Sequence, residues 1–183
     1  MQVLRRIARA AAVALLLAAP SPRAEAQGLQ LHEKEIKAGL LYNFLKYTDF
    51  PDSALSGSSI SVCLYGGDPF GGYLDHTRGL TVHEKPISVR DISSVAEAEK
   101  CQLVFVNAGS RGDWPQLSSA LAGKGVLTVS DFDGFAQAGG MIEFTRNGDH
   151  IGAVLNMDAV TSAHLHVGGR MLRLATVVHD GKG

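Results

Sequence analysis

Cys63 and Cys101 are the only cysteines in the chain, and their chemistry depends on the compartment that holds them. In an oxidising compartment such a pair closes into a disulfide, whereas in a cytosol the same residues would more readily be two unrelated buried thiols. A redox-active dithiol is disfavoured, because the pair lacks the C-x-x-C spacing that tunes thiol reactivity. A second kind of chemistry is offered by the run Gly66-Gly67-Asp68-Pro69-Phe70-Gly71-Gly72, since backbone N–H groups at a glycine-rich bend can cradle an anion. The run has neither G-x-G-x-x-G nor the lysine and serine of a P-loop, so a structural turn with Pro69 opening a helical segment is the plainer reading. If a small ligand binds anywhere, this loop is where the sequence places it, at the carboxyl end of a strand.

Asp131, Asp133 and Glu143 could support acid–base work or a hard cation. No spacing rule brings the three together. Glu143 stands between Ile142 and Phe144 in a strand-like run, so its side chain points away from theirs; an ion pair with Arg146 or capping of loop amides accounts for it more simply. The seven histidines are scattered, and only His164-x-His166 is closely spaced, with no evident third ligand, so neither metal nor cofactor is expected. Ser118-Ser119 and Ser130-Asp131 are not set in a nucleophile elbow, and the chain is read as a non-enzyme. For contact with a partner, the candidates are Trp114, between Asp113 and Pro115, and Tyr42 and Leu45, which fall off the main apolar stripe of the first helix. Each of the three could equally be packed inside.

These residues are carried by 183 residues that are 45% hydrophobic and 19% charged, enough for one core and too apolar for disorder. A net charge of −1 without a basic run removes the electrostatic footprint of a nucleic-acid binder. Arg5, Arg6 and Arg9 precede the apolar run Ala10 to Ala19, followed by Pro20, Pro22 and Ala24-Glu25-Ala26, the pattern of a secretory signal peptide cleaved after Ala26. An apolar run of that length is too short for a bilayer, which needs about twenty residues. Losing residues 1–26 removes four arginines and one glutamate from a chain of net charge −1, leaving residues 27–183 at −4 as one periplasmic domain. That address favours the Cys63–Cys101 bridge.

Ile36, Leu40, Phe44 and Tyr47 recur at helical spacing with Leu41 at the margin, predicting an amphipathic helix that ends by Pro51. Strands are predicted at Ser58–Tyr65, Pro86–Val89, Leu103–Val106 and Val126–Val129, with helices at Phe70–Thr77, Val95–Lys100 and Pro115–Leu121 between them. Leu103-Val104-Phe105-Val106 is apolar on both faces, as a central strand covered by helices on each side must be. Alternating strands and helices imply right-handed crossovers and a mainly parallel sheet. Met141–Thr145 and Ile151–Leu155 flank Asn147-Gly148, predicting a hairpin at the sheet edge. Asn156 or Asp158 caps a helix to about Leu165, and Arg170–Val178 repeats helical spacing. The expected fold is a single-domain α/β three-layer sandwich, mainly parallel with an antiparallel hairpin edge and helices on both faces.

Three segments together resemble one family: Glu35 to Tyr47 ending at Phe50-Pro51, with Asn43 and Phe44 inside it; Gly67-Asp68-Pro69-Phe70-Gly71-Gly72; and Gly139 to Phe144, containing Glu143, followed by Asn156-Met157-Asp158-Ala159. In this order behind a signal peptide they resemble the YfiR family of periplasmic proteins. The resemblance implies an α/β regulator, often a homodimer, that binds the periplasmic part of a membrane-anchored diguanylate cyclase and holds it inactive, lowering cyclic di-GMP and biofilm formation. It also implies a bridge at Cys63 and Cys101, and a small-molecule effector of unstated identity is compatible with it. This chain departs from the pattern in carrying Phe135 and apolar neighbours where a second cysteine pair would stand, and Gly168-Gly169 where serines usually precede the last helix.

Overall fold

The computed structural model describes residues 22–148 and 150–179. The chain divides into two units, Met1–His32 and Glu33–Gly183. In the first, the described residues open helix α1 (Pro22–Lys46), with Leu29 and Leu31 exposed. The expected leader, residues 1–26, lies outside the described residues except for its last five, and its cleavage point falls within α1.

In the second unit α1 is followed by β1 (Thr48–Asp49), β2 (Ile60–Tyr65), β3 (Thr81–Val82), β4 (Lys85–Ile92), α2 (Val95–Ala98), β5 (Leu103–Val106), α3 (Trp114–Leu121) and β6 (Leu127–Ser130). Then come β7 (Ile142–Asn147), β8 (His150–Asn156), α4 (Met157–Ser162), β9 (His166–Val167), α5 (Gly169–Leu172) and β10 (Thr176–Val178). Eight strands form one sheet in the order β10-β8-β7-β6-β5-β2-β4-β3, and β1 and β9 pair separately. The pairs β4–β2–β5–β6–β7 are all parallel, while β7 and β8 form an antiparallel hairpin with Asn147 opposite His150.

Alternation along the strands sends side chains to two cores. Ile60, Val62, Leu64, Leu103, Phe105, Leu127 and Val129 meet the α1 residues Ala38, Leu41, Phe44 and Leu45 on one face. Cys63, Tyr65, Val104 and Val106 meet Trp114, Leu117 and Leu121 of α3 and Phe132 and Phe135 of the following loop on the other. Three layers result, as the buried-on-both-faces run Leu103–Val106 requires.

Four sequence expectations are corrected. The buried face of α1 is Ala38, Leu41, Phe44 and Leu45; of the expected stripe Ile36, Leu40, Phe44 and Tyr47, only Phe44 is buried and the other three are partly buried. The helix expected at Phe70–Thr77 is a 3-10 turn over Tyr73–Thr77, because Gly71 and Gly72 take φ of 63° and 86° and interrupt it. The tail is helical only over Gly169–Leu172; Thr176, Val177 and Val178 instead pair in parallel with Val154, Leu155 and Asn156. Their β-branched side chains suit an extended strand. Consequently β10, not the hairpin, forms that edge of the sheet.

Candidate functional site

In sequence β2 is followed first by β4 on one side of it and then by β5 on the other. Such a reversal is the topological switch point at which open α/β sheets bind ligands, beyond the carboxyl ends of the strands. The loop Gly66–Gly72 stands there. Its glycines at 66, 67, 71 and 72 all have positive φ, so the chain can fold back on itself within seven residues. The loop is closed on its own carboxylate: Asp68 accepts the Phe70 N–H through Oδ1 at 2.7 Å and the Gly72 N–H through Oδ2 at 2.8 Å. A negative charge therefore occupies the amides that would otherwise receive an anion. Phe70 is buried beneath, 4.8 Å from the Phe105 ring in an edge-on contact, and fixes the loop to the core.

The segment after β5 packs against the start of this loop. The Asn107 N–H donates to the Tyr65 carbonyl at 2.9 Å, and Asn107 Oδ1 accepts from the Gly109 N–H at 2.9 Å. Any Cβ at Gly66 would collide with the Ser110 hydroxyl. Tyr65 is held against this segment, and its phenol lies above its ordinary 10.0 because it is buried and faces the Asp113 carboxylate, which accepts its O–H.

The three candidate carboxylates are separated in role. Asp131 pairs with Lys37 at 3.0 Å, and Lys37 also reaches Glu33 at 2.7 Å. Burial alone would lower the Lys37 ammonium, but hydrogen bonds and charge from Glu33 and Asp131 outweigh it and hold the group above its usual 10.5. Asp133 is exposed. Glu143 is buried and accepts the Gly134 N–H at 3.1 Å and the Ala136 N–H at 2.9 Å, the capping alternative read from the sequence; Arg146 pairs instead with Glu33 at 2.8 Å.

Two of the motif residues, Glu143 and Asn156, meet on the loop between β6 and β7. Asn156 caps α4 by accepting from the Ala159 N–H at 3.0 Å, while its Nδ2 donates to the Ala136 carbonyl at 2.9 Å. Trp114 donates its indole N–H to the Ala138 carbonyl at 2.9 Å, its ring 4.4 Å from that of Phe135. Glu143, Asn156 and Trp114 thus hold one loop from three elements. Phe44 stacks 5.7 Å from Phe144, Asn43 accepts the Tyr47 N–H at 2.9 Å through its carbonyl, and Asp158 pairs with His179 at 3.0 Å.

Of the three residues expected to face a partner, two are interior. Leu45 is 1% exposed and Trp114 4%, because α1 rolls its Leu41–Leu45 face onto the sheet and α3 packs its first turn over Phe135. Tyr42 is half-buried and borders an open groove of about 340 Å³ with Gly39, Tyr73 and Leu80. Cys63 and Cys101 are joined, with Cα atoms 6.2 Å apart, tying β2 to the residue that precedes β5 by two positions. His164 and His166 are exposed, and among the described residues no group of three or more His, Cys, Asp or Glu could hold a metal ion. Ser130 is committed to the backbone, donating to the Val106 carbonyl at 2.7 Å and accepting from Phe132 at 3.3 Å. Sequence reasoning missed the Lys37 cluster and Thr128, a buried hydroxyl whose only sequence signal is a polar residue interrupting the apolar run of β6.

Comparison with known proteins places these motifs in context. A search of curated proteins finds no match. Solved structures that resemble the chain include the ABC domain from Streptococcus pneumonia in complex with L-Trp, at 10% identity and a TM-score of 0.46, over 66% of this chain and 55% of that one. The chain thus spans just over half the length of that structure, and the likeness is too slight to carry an argument. The YfiR/HmsC-like family model matches residues 34–176, from α1 to the first residue of β10. The chain therefore belongs to the YfiR/HmsC-like family.

Proposed function

We propose that this protein is exported to the periplasm and acts there by binding, as a homodimer, the periplasmic sensor domain of a membrane-anchored diguanylate cyclase. The cyclase is repressed, and cyclic di-GMP and biofilm formation fall. The observation that carries this reading is the family match over residues 34–176, which supports a periplasmic regulator of a diguanylate cyclase. A binding role also agrees with the polar residues singled out above: Asp68, Glu143, Asn156 and Ser130 are each spent on backbone groups. Repression of this kind works by population shift, the protein favouring the inactive receptor by no more than its difference in affinity for the two receptor states. Tyr42, at its groove beside α1, is the residue of the expected partner surface that this reading retains.

The alternative, a small-ligand-binding protein using the loop after β2, would require a ligand that displaces Asp68 from two amides. Affinity capture on the immobilised protein from a solubilised membrane extract tests the proposal. The expected product is a membrane protein carrying a periplasmic domain and a cyclase domain, retained in its native state; recovery of a transporter subunit instead would favour the ligand-carrier reading.

A further inference from the structure

A pocket of about 250 Å³, open to solvent on one side, lies where β6 and β7 separate, between α3 and α4, and shares no lining residue with the Gly66–Gly72 loop. Trp114, Leu121 and Met141 give it an apolar wall, Ser118 and Ser162 stand in its lining, and no lining residue carries an ionisable side chain. Trp114 cannot swing away, because its indole N–H is held by the Ala138 carbonyl at 2.9 Å.

Thr128 gives the cavity a direction. Its side chain leaves β6 on the α3 side of the sheet, opposite to Leu127 and Val129, and it is 2% exposed. Its hydroxyl accepts the Met141 N–H at 3.2 Å, which uses a lone pair and leaves the O–H proton without an acceptor among the described residues. That proton is free to donate to an acceptor carried by a ligand, which would place a hydrogen bond at the buried end of the pocket. A charged ligand would find no counter-ion in this lining and would lose its hydration.

We propose that this cavity is a binding site for an uncharged, single-ring, mainly apolar molecule bearing one hydrogen-bond acceptor, received by the Thr128 hydroxyl. The site stands independently of the regulatory role proposed above, and its test does not involve the cyclase. Acetophenone and ethylbenzene have nearly the same shape and differ in the acceptor. Titration calorimetry on the purified protein should give saturable one-to-one binding of acetophenone, with ethylbenzene weaker by about fivefold, the worth of one net hydrogen bond. Trp114, the only tryptophan, should report the same midpoint by fluorescence. Thr128→Val should reduce the difference between the two compounds to less than about twofold, and Thr128→Ser should restore it. Ser118→Leu, which fills the cavity from the half-buried side of α3, should abolish binding of both while unfolding stays cooperative. Absence of saturable acetophenone binding, or binding unchanged in Ser118→Leu, would overturn the site; equal affinities for the two compounds in the unaltered protein would overturn the role of Thr128.

Discussion

Gly140 lies directly against the ring of Phe135, so closely that a Cβ at position 140 would overlap the ring atoms Cδ1, Cε1 and Cζ. The Gly140 N–H donates to the Phe135 carbonyl at 2.8 Å, and the ring is clamped on its other sides by Trp114 at 4.4 Å and Phe132 at 5.0 Å. Phe135 has nowhere to retreat. Gly140→Ala should therefore destabilise by about 2 kcal/mol, the usual cost of overpacking a filled core. Urea denaturation should show a lower midpoint with an unchanged slope; an unaltered midpoint would show that the aromatic cluster yields freely.

Glu143 has a different burden, since its carboxylate answers two amides that no other group in the loop reaches. Glu143→Leu should cost about 3 kcal/mol by leaving Gly134 and Ala136 unpaired, and Glu143→Gln about half as much, because one amide keeps an acceptor. Chemical denaturation of both variants orders the effects. Equal stability of Glu143→Leu and the unaltered protein would mean that solvent reaches these amides.

The Cys63–Cys101 bridge closes a loop with a sequence separation of 38 residues. In the chain-entropy account a loop of that length contributes about 4 kcal/mol, so reduction should lower the melting temperature by roughly ten degrees. Mass spectrometry of the native protein should find both thiols blocked, and finding them free would remove the bridge from the account.

Lys37 should make stability depend on alkaline pH. Its folded-state pKa is raised, so the contribution is fully present below the unfolded value, about 10.4, and is lost as pH rises through the folded one. Lys37→Met should be less stable than the unaltered protein by about 1 kcal/mol near pH 7, and the gap should close as pH rises through the raised folded-state value. A gap independent of pH would assign the effect to packing of the Lys37 methylene stem rather than to its charge.

Period-two alternation and doubly buried runs made β2, β5 and β6 readable, and Asn147-Gly148 made the hairpin readable, because these signals are local. What escaped were choices settled by distant partners. Leu172, Leu174 and Ala175 have helical spacing, yet the unpaired edge of β8 takes Thr176–Val178 as a strand. Position along α1 did not reveal which face meets the sheet, since both Leu40 and Leu41 suit burial at helical spacing from Phe44, and the docking of α1 on the sheet buries Leu41. At the candidate site, Gly-Asp-Pro turn chemistry announced the bend of Gly66–Gly72. That Asp68 would close on the loop's own amides is equally local, whereas the pressing of Ser110 against Gly66 depended on β2 and β5 lying side by side.

The central claim, repression of a membrane diguanylate cyclase from the periplasm, is tested most directly by intracellular cyclic di-GMP in otherwise identical strains with and without the gene. Deletion should raise the nucleotide severalfold, and export of the intact protein from a plasmid should bring it back down. A level that does not move on deletion while the cyclase is present, or that falls, would contradict the account.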